Sequence, residues 1–176
     1  MNLTLERVEP NPENGKRIAD FLAENFWAEH SLSGEGSPSI EWGRASSHIN
    51  HFLFNGIVYN VLDGDTIIGS IAAGPDDYWW SAEQYIGDGW FYVLPEYRNL
   101  KNQIPPSHLL IDAVIDYAKE QDKPLILGIF NLEGVERAKK LFDKKGFHQI
   151  GGRSTGYYCA SDWLFFCSTI CRRLFS

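Results

Sequence analysis

The stretch Val93-Leu94-Pro95-Glu96-Tyr97-Arg98, followed by Asn99-Leu100-Lys101-Asn102-Gln103-Ile104-Pro105-Pro106-Ser107-His108, decides how this sequence folds. About Gly89 to Val93 reads as a strand that runs into the loop at Pro95. Beyond Pro105-Pro106 the apolar residues Leu109, Leu110, Ala113, Val114, Tyr117 and Ala118 recur at helical spacing. A proline suits a helix's first turn, because the N–H it lacks would have no intrahelical partner there. The centre of the chain is therefore strand, polar loop, helix.

Working outward, Leu3, Leu5 and Val8 open a short strand, and Asn11-Pro12-Glu13-Asn14 caps a helix carrying Ile18, Phe21, Leu22 and Phe26. A Ser/Gly-rich connection is expected from His30 to Ser47, with a short second helix from His48 to Phe54. Gly56 to Val61 and Thr66 to Ala72 read as strands, joined by the tight-turn signal Asp63-Gly64-Asp65. On the other side, Pro124 to Ile129 has the look of a buried strand. Asn131 stands as the cap of a last helix bearing Val135, Ala138, Leu141 and Phe142, which Gly146 stops. Phe147 to Tyr158 closes the pattern as a strand or hairpin.

This order resembles the GNAT (Gcn5-related) N-acetyltransferase superfamily, and two blocks carry the likeness. One is Val93-x-Pro95-x-Tyr97-Arg98 leading into the Leu109-Leu110 helix; the other is Asn131-(x)6-Ala138-(x)2-Leu141-Phe142-x-x-Lys145-Gly146-Phe147. The resemblance implies an α/β fold with a mixed central sheet of about six to seven strands and about four helices. It would span residues 1–158, leaving 159–176 as an apolar C-terminal extension. It also implies acetyl-CoA as cosubstrate, a primary amine as acceptor, and direct attack without an acyl-enzyme.

By the same resemblance, the cofactor would lie along Phe91, Tyr92 and Val93. Its pyrophosphate would sit over Arg98, Lys101, Gln103, Ser107 and His108, with Asn131 and Phe142 contributing from the last helix. A helix N-terminus attracts phosphate through its free N–H groups and partial positive charge. The general base is expected at Asp88, with Glu83 as second choice. Phe142 stands where the family often has a tyrosine acid, so Tyr157, or Tyr158 beside it, is the expected proton donor. Trp27, Glu29 and Trp42 are the expected walls of the acceptor pocket, and Trp79 and Trp80 are further candidates. The loop after Arg98 has two prolines and no glycine, and with Phe142 this supports an alternative: a catalytically inactive GNAT-fold binding or structural module.

Bulk properties narrow the field. A net charge of −7 disfavours a nucleic-acid binder, which needs a cationic excess to displace counterions from phosphate. No run reaches the roughly 18 apolar residues of a membrane span. No signal peptide is expected from Met1 to Arg7, and Cys159, Cys167 and Cys171 are an odd set, so a cytoplasmic protein with reduced thiols is expected. His48 and His51 are too few for a metal site, and the cysteines lack paired zinc spacing. The extension, with Trp163, Cys167, Ile170 and Leu174 on one helical face, would cover its own domain, form a homodimer surface or lie on a membrane surface.

Overall fold

The structure, a computed structural model, describes residues 2–31, 39–78, 80–100, 104–128, 135–151 and 157–160. The chain separates into two compact units, Met1–Pro75 with Asp88–Val114 and Asp76–Gly87 with Ile115–Ser176.

In the first unit, β1 (Leu3–Arg7) pairs antiparallel with β2 (Ile57–Asp63), placing Leu3 opposite Asp63 and Arg7 opposite Tyr59. The Asp63-Gly64-Asp65 turn joins β2 to β3 (Thr66–Asp77), and Gly64 adopts φ +62°, a conformation that costs a residue without Cβ little. Next in hydrogen-bonding order comes β4 (Gln84–Val93). Helix α1 (Pro12–Phe21) starts as its sequence dictates, with Pro12 in the first turn and the Asn11 side chain accepting the Asn14 N–H at 2.8 Å. It does not end at Phe21. The chain winds on through a π-helical segment, Leu22–Trp27, into the single turn α2 (Ala28–Ser31). Widening the helix disturbs the i→i+4 ladder, and the Asn25 side-chain amide donates to the Phe21 carbonyl at 2.8 Å.

Helix α3 (Trp42–Asn55) begins six residues before the expected start at His48, inside what the sequence presented as a connection. The cause is a repeat that polar residues disguise: Ala45, Ile49 and Leu53 lie four apart, and the latter two are buried. Ser46, Ser47 and Asn50 occupy the exposed side of the same helix. The first unit's core joins Ile18, Phe21 and Leu22 to Ile49, Leu53, Val58, Ala72, Trp90 and Tyr92.

Strand β4 also starts earlier than the expected Gly89, at Gln84. Its first half belongs to the second unit, where the Ile86 N–H donates to Pro124 O at 2.8 Å. There Ile86 and Gly87 run parallel to Leu125 and Ile126 of β5 (Leu125–Gly128). Strand β5 pairs antiparallel with β7 (Tyr157–Ala160), and β7 with β6 (His148–Gly151), so the closing segment is a hairpin. Helix α4 (Pro106–Glu120) starts at the second of the two prolines. Helix α5 (Val135–Lys144) stops where expected: Gly146 takes φ +83°, and the Phe147 N–H reaches back to Phe142 O at 3.0 Å.

Among the described residues, seven strands are hydrogen-bonded in the order β1-β2-β3-β4-β5-β7-β6, with α1, α3, α4 and α5 as the longer helices. This is the mixed α/β architecture the resemblance implies. No helix among the described residues is long and apolar enough to cross a membrane.

Candidate active site

A cavity of about 210 Å³ lies in the first unit against β4. Leu22, Phe26 and Trp27 of the π-helical segment form one wall, Ala45, His48 and Ile49 of α3 a second, and Gly89 and Trp90 of β4 a third. The π-helical winding changes the angular spacing of successive side chains, and Phe26 and Trp27, adjacent in sequence, both reach the cavity.

The β4 wall is held from both sides. The Trp90 indole N–H donates to the Ser70 hydroxyl at 3.0 Å, and both residues are buried. The Phe52 ring lies edge-on to Trp90, with centroids 5.9 Å apart. A Cβ on Gly89 would fall 2.5 Å from that same Phe52 ring, so the strand packs this closely on α3 only because position 89 has no side chain. Gly89 and Trp90 thus both face α3, where two successive residues of a regular strand would point to opposite faces. Breaks of this kind re-aim side chains beside binding sites. His48 stands at this wall with its ring 5.0 Å from Phe52 and 6.3 Å from Trp90, and its Nε2 lies 3.4 Å from the Gly89 carbonyl.

Nearby, three residues named from the sequence for separate roles form one network. The Arg98 guanidinium donates to both Glu29 carboxylate oxygens, at 3.1 and 2.7 Å, and its Nε donates to Val93 O at 2.7 Å. The Tyr92 hydroxyl donates to the same carboxylate at 2.6 Å, while the guanidinium sits 5.2 Å from the Tyr92 ring centre. Burial, then the hydrogen bond to Glu29, pushes the Tyr92 phenol well above its ordinary range. Burial acts to lower the Arg98 pKa, but the Glu29 carboxylate outweighs it and the net direction is upward. The network ties α2 to the end of β4, next to the cavity wall. Arg98 is expected from the sequence to face a pyrophosphate, and Glu29 an acceptor. In the structure the two neutralise each other, because a carboxylate and a guanidinium removed from water lower each other's desolvation cost.

The remaining sequence candidates are dispersed. Asp88 lies half-buried within β4, one residue before the cavity wall. Phe91 is half-buried and Val93 buried in the same strand. Trp27 lines the cavity. Trp42 is half-exposed and lines a separate groove with Lys16, Asp20 and Asn50, although its ring meets Trp27 edge-on at 5.8 Å. At the start of α4 the His108 N–H donates to Pro105 O at 2.9 Å, which leaves Ser107 as the first-turn amide with no partner among the described residues. In the second unit, Phe142 is fully buried and stacked on Phe147 at 5.0 Å, a core position. Tyr157 stands in β7 opposite Gly128 and Gly151. Lys101, Gln103, Asn131, Trp79 and residues 161–176 lie outside the described residues. The sequence reading missed His48, Phe26 and Trp90 as cavity walls; the one signal was the high aromatic content, 14% with six Trp.

No protein-family profile matches the sequence, and no curated protein matches it either. Solved structures do. A GNAT-family acetyltransferase from Streptococcus pneumoniae superposes with a TM-score of 0.63 at 19% identity, covering 90% of this chain and 97% of its own. Arabidopsis thaliana Naa50, in complex with the bisubstrate analogue CoA-Ac-MVNAL, gives 0.59 at 16% identity over 92% and 99%. An aminoglycoside acetyltransferase from an uncultured soil metagenomic sample, in complex with sisomicin, gives 0.54 at 15% over 81% and 86%. With this strand order and these neighbours, the chain has the fold of the GNAT N-acetyltransferases.

Proposed function

We propose that this protein transfers an acetyl group from acetyl-CoA to a primary amine. The observation that carries the reading is the cavity beside β4, in a fold whose solved examples include acetyltransferases with CoA-linked and aminoglycoside ligands bound. The amine enters that cavity, its nitrogen bonds to the acetyl carbonyl carbon, and the carbon–sulfur bond breaks with its electron pair leaving on sulfur. Asp88 takes the surplus ammonium proton, directly or through a water. The thiolate is reprotonated by solvent. At the pyrophosphate end, Ser107 offers a hydroxyl and an N–H without a partner among the described residues, at the start of α4.

A second reading is favoured by specific observations: Arg98 is occupied by Glu29, the His108 amide by Pro105, and Phe142 is core. These fit a GNAT-shaped binding module without turnover. Calorimetry with acetyl-CoA, followed by thiol release over a panel of amines, separates the two. Micromolar acetyl-CoA binding with amine-dependent thiol release is the expected result. Absence of binding at high micromolar acetyl-CoA overturns the enzyme reading.

A further inference from the structure

We infer that the cavity beside β4 selects a primary amine carried on a compact apolar group, an arylalkyl or branched alkyl amine, over polyamines and hydroxylated amines. The inference rests on the acetyl-transfer reading for its chemistry but on the cavity itself for its selectivity.

Size and lining both point this way. An apolar cavity of about 150 Å³ accommodates benzene. At about 210 Å³, this one has room for a phenyl ring with a short alkyl chain, or for a branched five-carbon chain. Its walls are carbon-rich, with Leu22, Ile49 and Trp90 buried. Trp90 brings the only N–H of its side chain, and that N–H is spent on Ser70, so toward a ligand it offers only its ring. A hydroxylated ligand placed here would leave water-bonded groups without partners, at a cost that an apolar ligand avoids.

One polar contact stands at the β4 wall, where the Gly89 carbonyl and the His48 imidazole lie 3.4 Å apart. A carbonyl oxygen accepts from an ammonium or amine N–H, so it can fix the nitrogen end while the apolar arm fills the space between Phe26, Trp27 and Ile49. Asp88, one residue before Gly89, is then next in the chain to the nitrogen's position. Apolar arm inward and nitrogen at the β4 rim matches each end of the ligand to its chemical like.

The test is a substrate series on the unmodified protein: 2-phenylethylamine and isopentylamine against ethanolamine and putrescine, each followed by thiol release and, separately, by calorimetry without acetyl-CoA. Each buried methylene changes kcat/KM by roughly tenfold or more, so the two apolar amines should exceed the polar pair by at least about 100-fold. Ala45→Phe, which fills the cavity from α3, should cut the preference for 2-phenylethylamine over ethanolamine at least about tenfold; a melting curve checks that it folds. Equal or better turnover of ethanolamine or putrescine overturns the inference while leaving acetyl transfer intact. Binding of 2-phenylethylamine that Ala45→Phe abolishes, without thiol release from any amine, upholds the selectivity and overturns the transfer. Neither binding nor turnover of the apolar amines overturns the selectivity, and the absence of thiol release from every amine of the panel overturns the transfer as well.

Discussion

Arg98 closes on Glu29 through two nearly parallel hydrogen bonds of 3.1 and 2.7 Å, joining residues 69 positions apart. The side chains keep 26% and 29% of their exposure, so the pair lies between the surface and buried limits. Fully exposed pairs contribute about 0–1 kcal/mol and breaking a buried one costs about 3–5 kcal/mol.

Glu29→Gln and Arg98→Ala should each therefore destabilise the fold by about 1–3 kcal/mol. For a chain of this length that lowers Tm by roughly 3–9 °C. A double-mutant cycle should return a coupling of at least about 1 kcal/mol. A coupling near zero would show that each residue acts alone, and Arg98 would revert to a candidate phosphate contact.

The Tyr92 phenol predicts a pH effect of definite sign. Its pKa is raised in the folded state, first by burial and then by donating to Glu29, while in the unfolded chain it stays near 10. Below about pH 10 both states keep the proton, and the stabilisation is fully present. Above it the unfolded chain ionises first, and stability falls as pH rises. Tyr97 shifts in the same direction through burial and its contact with Asp63, so it contributes to the same slope. Melting temperatures between pH 8 and 11.5 should fall above pH 10 in the native protein, and less steeply in Tyr92→Phe. An identical slope in the variant removes Tyr92 as the cause.

Gly89 should be intolerant of even one methyl group, because a Cβ there meets the Phe52 ring at 2.5 Å. Overpacking of this kind costs about 1–3 kcal/mol. Phe52→Leu should restore part of the Tm lost in Gly89→Ala, since it withdraws the atoms that clash. Absence of any rescue would place the strain in the backbone.

Trp90→Phe removes the donor to the buried Ser70 hydroxyl and should cost about 1–3 kcal/mol. Adding Ser70→Ala should recover some of that loss, because the stranded hydroxyl goes with it. Urea unfolding of the two single variants and the double variant measures this directly; strictly additive losses would mean the bond contributes nothing.

Local rules wrote much of the frame plainly. Asn11-Pro12 starts α1, Gly64 turns β2 into β3, and Gly146 stops α5, each where its backbone preference demands. The early start of α3 was hidden because Ala45 is a weak hydrophobic signal among serines. The early start of β4 was hidden because Gln84 to Asp88 is polar or small at most positions, and its strand state comes from pairing with residues about forty positions later. Trp27 and Glu29 could be singled out from the sequence, but the pairing of Glu29 with Arg98 could not.

The Val93-to-Arg98 stretch, with its proline stop and the helix after Pro105-Pro106, determined by itself that a strand, loop and helix stand at the centre of a GNAT-like order. Those features are properties of neighbouring residues and their backbone angles. Only the tertiary structure decided that Arg98 faces Glu29, that the π-helical segment brings Phe26 and Trp27 to one cavity, and that Gly89 carries Phe52 against it. Each of these depends on which distant groups share a desolvated space. Burial and charge pairing act through that space, whatever the separation along the chain.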